Sequence, residues 1–129
     1  MKWLKVFSVF VVLHLVLWVG AHLYRSNNPI KVLIGVDTSF NLKPEFPAMQ
    51  KWIDDYEDNS RYEAIIIVTD KSEIGPLHAV TSRQSIFRTA FGRSDAEDYR
   101  RYESVAADKR VLLSDGSFVI QGWELIHFP

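Results

Sequence analysis

The chain has 129 residues, 47% hydrophobic and 24% charged, which leaves room for one soluble domain beside one hydrophobic segment. All 16 acidic residues and 12 of the 15 Lys and Arg lie beyond Arg25, so the polar part carries 12 positive against 16 negative charges, a net −4. A mildly acidic part with no basic stripe argues against nucleic acid as a partner, and the absence of cysteine excludes thiol redox chemistry, thiolate metal sites and disulfides.

Residues 1–25 read as an N-terminal membrane anchor or a signal peptide. Lys2 and Lys5 precede Val6–Tyr24, 19 positions whose clearly polar side chains are Ser8, His14 and His22. As a helix this run spans about 28 Å, enough for the hydrocarbon core of a bilayer. Trp3, Trp18 and Tyr24 lie near its ends, where amphipathic rings favour the interface, so residues 3–24 are expected to hold the membrane. Val19-Gly20-Ala21 also offers small residues for cleavage after Ala21, and both outcomes stay open. In either case the amino-terminal positive charge points to an exported soluble part, on the periplasmic side of a cytoplasmic (inner) membrane.

Residues 26–29 (Ser-Asn-Asn-Pro) are a linker, and the domain proper runs over 30–129. Ile30–Val36 is an apolar run of strand length ending at Asp37. Phe46, Met49, Ile53 and Tyr56 then fall on one helical stripe, with Pro44 and Pro47 near its start, where missing N–H groups cost little. Tyr62–Thr69 is a second buried strand, and strand–helix–strand implies a parallel pair. Pro76–Phe91 reads weakly as a helix, and the structure of residues 72–93 stays open. Ser94 with Glu97 has capping-box spacing ahead of a helical face bearing Ala96, Tyr99, Tyr102 and Ala106. Arg110–Leu113 and Phe118–Gln121, joined through Asp115-Gly116, read as a β-hairpin, followed by the apolar run Trp123–Phe128.

The order β-α-β, helices, β-β, with Thr38–Trp52 reading TSFNLKPEFPAMQKW, resembles thioredoxin-like proteins. More narrowly it resembles the membrane-anchored thiol-disulfide oxidoreductases of cytochrome-c maturation: Lys43, Glu45, Pro47 and Met49 fall in register with their active-site helix. Tyr62–Asp70 and Val111–Val119 are similar to the strand and late hairpin of that family. The departures are at the redox centre. Ser39 and Leu42 stand at the two cysteine positions, Asp108 stands roughly where the family has a cis-proline, and eight residues after Gln121 are too few for its last helix. The resemblance therefore implies an α/β domain without redox activity or cofactor, its substrate groove formed by Ser39, Phe40, Asn41, Leu42 and Asp108. It would act as a binding or assembly module rather than an enzyme. A sheet face left bare by the missing helix would favour a protein partner or self-association through Trp123, Leu125, Ile126 and Phe128.

Asp37-Thr38-Ser39-Phe40-Asn41 also resembles the D-x-S-x-S metal motif of von Willebrand A-type domains, with Val68-Thr69-Asp70 as a second metal loop. That resemblance implies Mg²⁺ held by Asp37, Ser39 and Asp70 at the ends of two parallel strands, in an adhesion-type binding module. Those domains are longer than this chain, and Asn41 stands where their motif has its second serine. Helix capping is the simpler use of Asp37 and Ser39. His78 and His127 lack a partner at metal or triad spacing, and Arg83, Arg88, Arg93, Arg100 and Arg101 read as a solvated face paired with Asp95, Glu97 and Asp98, with an acidic partner as the alternative.

Overall fold

Ile30–Val36 (β1) is the centre of the molecule, and from Val32 onward every residue of it is buried. A strand hidden on both faces must be apolar throughout rather than alternating, and V-L-I-G-V satisfies that. The computed structural model describes residues 1–80, 82–88 and 90–128. It is a mixed α/β fold: a long apolar N-terminal helix and a five-stranded mixed sheet.

The N-terminal helix α1 spans Lys2–Asn27, with a mean hydropathy of 2.2 and none of that apolar stretch buried against the rest of the chain. It is long and apolar enough to cross a membrane. Asn28 and Pro29 separate it from β1, so the first strand starts within a few residues of the helix end.

After β1 the chain makes a 3-10 turn over Phe40–Glu45 and enters α2, Phe46–Asn59. Pro47 lies in the first turn of α2, where its missing N–H is no loss. Phe46, Met49 and Ile53 form its buried stripe, as the spacing predicts, and Trp52 and Tyr56 pack at its edge. β2 (Glu63–Thr69) returns parallel to β1, and β3 (Glu73–Pro76) folds back on β2 as an antiparallel edge. β4 (Lys109–Ser114) lies on the other side of β1 and β5 (Glu124–His127) outside β4, both parallel. The strand order is β3-β2-β1-β4-β5.

Both faces of the sheet are covered. On one, Val32, Ile34, Val36, Ile67, Val111 and Leu113 meet α2 together with Leu77, Ile86 and Phe128. On the other, Leu33, Val68 and Leu112 meet Tyr99, Tyr102 and Trp123. Gly35 makes this second layer possible, because a Cβ there would stand 2.8 Å from a Trp123 ring carbon and 3.1 Å from one of Tyr99.

Four expectations are corrected. The late hairpin is not formed: Phe118–Gln121 is not a strand, and the partner of β4 is the parallel β5. The Asp115-Gly116 turn, with Gly116 at φ +82°, instead starts a crossover that drops Phe118, Ile120 and Trp123 onto the second face. Residues 76–91 form short 3-10 turns (Leu77–Ala79 and Arg83–Phe87), in keeping with a Ser/Thr-rich stretch whose hydroxyls compete for backbone groups. Thr81 and Thr89 of that stretch lie outside the described residues. The capping box falls one residue later, on Asp95 and Asp98, and heads a 3-10 helix, Ala96–Tyr102. Finally, the expected bare sheet face is not seen among the described residues: Trp123 and Phe128 are buried in the two cores and Leu125 and Ile126 are half-buried.

Candidate functional site

In a parallel sheet, ligands collect at the carboxyl ends of the strands, where the connections leave in opposite directions from a central strand. Here β1 is that strand, linked forward to β2 on one side and flanked by β4 on the other. Its carboxyl end delivers Asp37, Thr38 and Ser39, all buried. The neighbouring ends deliver Thr69 and Asp70 from β2, and Ser114 and Asp115 from β4.

Asp37 is 1% exposed and sits at the middle of a hydroxyl ring. One carboxylate oxygen accepts from the Ser39 backbone N–H at 2.9 Å and from the Ser39 and Ser94 hydroxyls. The other accepts from the Ser114 hydroxyl at 2.8 Å. The Ser94 N–H donates to Ser39 Oγ at 2.9 Å, and Phe40 N–H to Gly92 O at 3.0 Å, which pins the loop before Ser94 against the turn after β1. Asp115 stands beside the ring, accepting from the Asn41 amide at 3.1 Å and from the Ser117 N–H at 2.9 Å. Burial alone would raise the Asp115 carboxyl, but donors from Ser117, Asn41 and Ser114 outweigh it and hold its pKa below the ordinary range.

Asp70 lies next to this ring but is engaged differently. Its carboxylate accepts from the Thr38 N–H at 3.1 Å and the Thr38 hydroxyl, and it pairs with the Lys71 ammonium. Lys71 also donates to Thr38 O and Oγ1, both at 3.1 Å, and lies 4.6 Å from the centre of the Phe91 ring. Burial pushes the Asp70 carboxyl up, and the Lys71 and Thr38 bonds together more than reverse it. Asp70 thus has its own cation, whereas Asp37 forms no ion pair among the described residues.

That contrast sets the chemistry. A buried carboxylate without a counter-charge is costly unless its lone pairs are fully satisfied. The same ring of Ser39, Ser94 and Ser114 hydroxyls, with the Asp37 and Asp115 carboxylates, presents oxygen atoms, while Asn41 turns its amide N–H toward Asp115. The ring contains neither imidazole nor thiolate, and among the described residues no group of three or more His, Cys, Asp or Glu is placed to hold a metal ion. The three hydroxyls donate to Asp37 and so satisfy its carboxylate, and oxygen donors of this kind belong to the chemistry of hard cations such as Mg²⁺, Mn²⁺ or Ca²⁺ rather than zinc or copper. An open pocket of about 350 Å³ lined by Arg93, Ser94, Asp95, Ser117 and Phe118 adjoins it.

No family model, no curated protein and no solved structure matches the chain. Nothing in the fold ties it to thioredoxin-like proteins. Ser39 and Leu42 do lie on one turn, the Leu42 N–H donating to Ser39 O at 3.0 Å, with Leu42 buried and Phe40 and Asn41 exposed. Asp108, the remaining member of the expected groove, is at the opposite end of the sheet. It precedes β4 and accepts from the Lys31 N–H at the start of β1, because β1 and β4 run parallel. The five residues expected to line one groove therefore do not share a surface.

Of the metal reading, Asp37 and Ser39 are brought together, and Asp70 is drawn off by Lys71. Ser94, Ser114 and Asp115 also gather around Asp37 and Asn41, a placement that the sequence alone does not signal. The sequence offered Ser94 as a helix cap and Asp115 as a hairpin turn, local uses that masked their position around Asp37.

Proposed function

We propose that the chain is a membrane-anchored, non-enzymatic binding module whose soluble domain holds a divalent cation of the Mg²⁺ class. Asp37, Ser39, Ser94 and Asp115 would be its principal donors, with Asn41 and Ser114 supporting them. The observation that carries this reading is Asp37: a carboxylate 1% exposed, with no ion pair, ringed by hydroxyls from three separate stretches of chain. The bound cation would supply a Lewis-acidic position open to an oxygen ligand on a protein partner. This is the role implied by the likeness of Asp37–Asn41 to the von Willebrand A-type metal motif.

The sheet's polarity supports a partner on the far side from the bilayer. The chain leaves α1 and enters β1 through two residues, and the parallel strands run away from that point. Seven residues of β1 at about 3.3 Å each put its carboxyl end roughly 20 Å from the anchor end. With Lys2 and Lys5 keeping the amino terminus inside, the domain faces the extracytoplasmic side of a cytoplasmic membrane.

Thermal unfolding of the full chain in detergent, with and without millimolar MgCl₂, MnCl₂ or CaCl₂, tests the proposal. A cation at a hundred times its Kd stabilises the native state by about 2.7 kcal/mol. The shift should appear with at least one of the three and disappear in Asp115→Ala, whose half-exposed side chain leaves the core intact. A melting temperature indifferent to all three cations would remove the reading.

A further inference from the structure

Tyr62 is in the left-handed region, φ +63°, and among the described residues it is the non-glycine residue there. A tyrosine pays for that conformation only when its surroundings fix it. Its carbonyl receives the N–H of Ile30, the first residue of β1, at 2.9 Å. Its hydroxyl is hydrogen-bonded to Nδ1 of His22, on the last turns of α1, and the two rings meet edge to face at 5.5 Å. His22 in turn stacks on Trp18 at 6.0 Å. Tyr62 therefore clamps the apolar helix to the amino-terminal edge of the sheet.

Two guanidinium groups converge on the same ring. Arg25, from the end of α1, lies 5.9 Å from its centre, and Arg61, from the turn before β2, lies 5.3 Å away. Both are exposed, and neither forms an ion pair among the described residues. Two cations held at one ring with no ion-pair partner among the described residues are both left to an anion from outside the chain. Trp18, Tyr24 and Tyr62 mark this level as the membrane–water interface, where amphipathic rings settle. An anion present there at high local concentration is the phosphodiester of a lipid headgroup, which a guanidinium can grip through two parallel hydrogen bonds.

We propose that Arg25 and Arg61, set around Tyr62, form a binding site for the headgroup of an acidic phospholipid. The site fixes the tilt of the domain on the bilayer, with the Asp37 end of the sheet turned away from the lipid. It is independent of the cation reading, because it lies at the opposite end of β1 and shares no residue with it.

The test is native mass spectrometry of the full chain in dodecyl maltoside, titrated with phosphatidylglycerol or phosphatidylcholine. The wild type should retain phosphatidylglycerol in preference to phosphatidylcholine. The double variant Arg25→Gln/Arg61→Gln should retain it about thirtyfold more weakly, the combined effect of two interfacial arginines. Wild-type protein that holds both lipids equally overturns the proposal without recourse to any variant. So does a double variant that retains phosphatidylglycerol as well as wild type. Displacement of the lipid by millimolar inorganic phosphate would identify a free-anion site instead and overturn the lipid assignment.

Discussion

The Ser94 hydroxyl donates a hydrogen bond to Asp37, a residue 57 positions earlier in the chain. This bond ties the least regular part of the fold to its central strand, so its loss reports on both stability and the site. Ser94→Ala removes one of the donors to a buried carboxylate that has no ion pair. Leaving such a group short of a partner costs about 1–3 kcal/mol. Urea denaturation in chelator should show that loss, and cation affinity from calorimetry should fall with it. Unchanged stability would mean that the Asp37 ring is looser than its geometry indicates.

The acid limb of stability should be steep. Asp70 and Asp115 both have pKa values below the ordinary 3.8 in the folded protein. A carboxyl with a depressed folded pKa contributes stability that is fully present above its unfolded value. That contribution is lost as pH falls through the folded value. The urea midpoint should therefore hold from neutral pH to about 4 and drop below it. In Asp70→Asn the drop should be shallower, because the variant has no Asp70 carboxyl left to protonate. A wild-type profile flat to about pH 2 would contradict the depressed values.

Lys71 stands between stability and site. Its ammonium is the counter-charge of Asp70, with 15% and 3% of the two side chains exposed. Lys71→Met leaves a buried carboxylate unpaired, a change that typically costs about 3–5 kcal/mol. The double variant Lys71→Met/Asp70→Asn should recover much of that, since removing both partners leaves no orphaned charge. A double variant as unstable as the single one would show that Lys71 acts through Phe91 or Thr38 rather than through Asp70.

What could be read from the sequence follows from range. The stripe Phe46, Met49, Ile53 and the runs 30–36 and 62–69 are governed by local periodicity, and α2, β1 and β2 appear where that periodicity sets them. Asp115-Gly116 illustrates the limit. The dipeptide does turn the chain, but whether the next strand returns antiparallel or crosses over depends on Trp123 finding room above Gly35, 88 positions away in the chain. The same holds for the candidate site: Asp37 and Ser39, two residues apart, can be seen together in the sequence, whereas Ser94 and Ser114 reach them only through the fold.

Gly35 gives a direct test of the second layer. Its missing Cβ admits Trp123 and Tyr99 over the middle of β1. Gly35→Ala forces the two rings outward, and overpacking of this kind costs about 1–3 kcal/mol. Trp123 fluorescence should shift to the red as the ring gains solvent. If the variant is as stable as wild type with unchanged emission, the rings do not lie where the fold requires.

The orientation in the membrane can be resolved because the chain has no cysteine. A single introduced thiol is then the only target for a maleimide. Asn59, exposed at the end of α2, belongs to the soluble domain, and Trp3, exposed in the first turn of α1, can be replaced while Lys2 and Lys5 stay in place. If Lys2 and Lys5 hold the amino terminus inside, Asn59→Cys should react with a membrane-impermeant maleimide in intact cells. Trp3→Cys should react only after lysis. The reverse pattern would put the domain, and with it the Asp37 site, on the cytoplasmic side. Loss of the Trp3→Cys thiol from mature protein, together with release of the domain from membranes, would identify the segment up to Ala21 as a cleaved leader. Cleavage after Ala21 would leave Arg25 on the released domain but take the bilayer away from it, so the headgroup site and the orientation are both tested by one pair of variants.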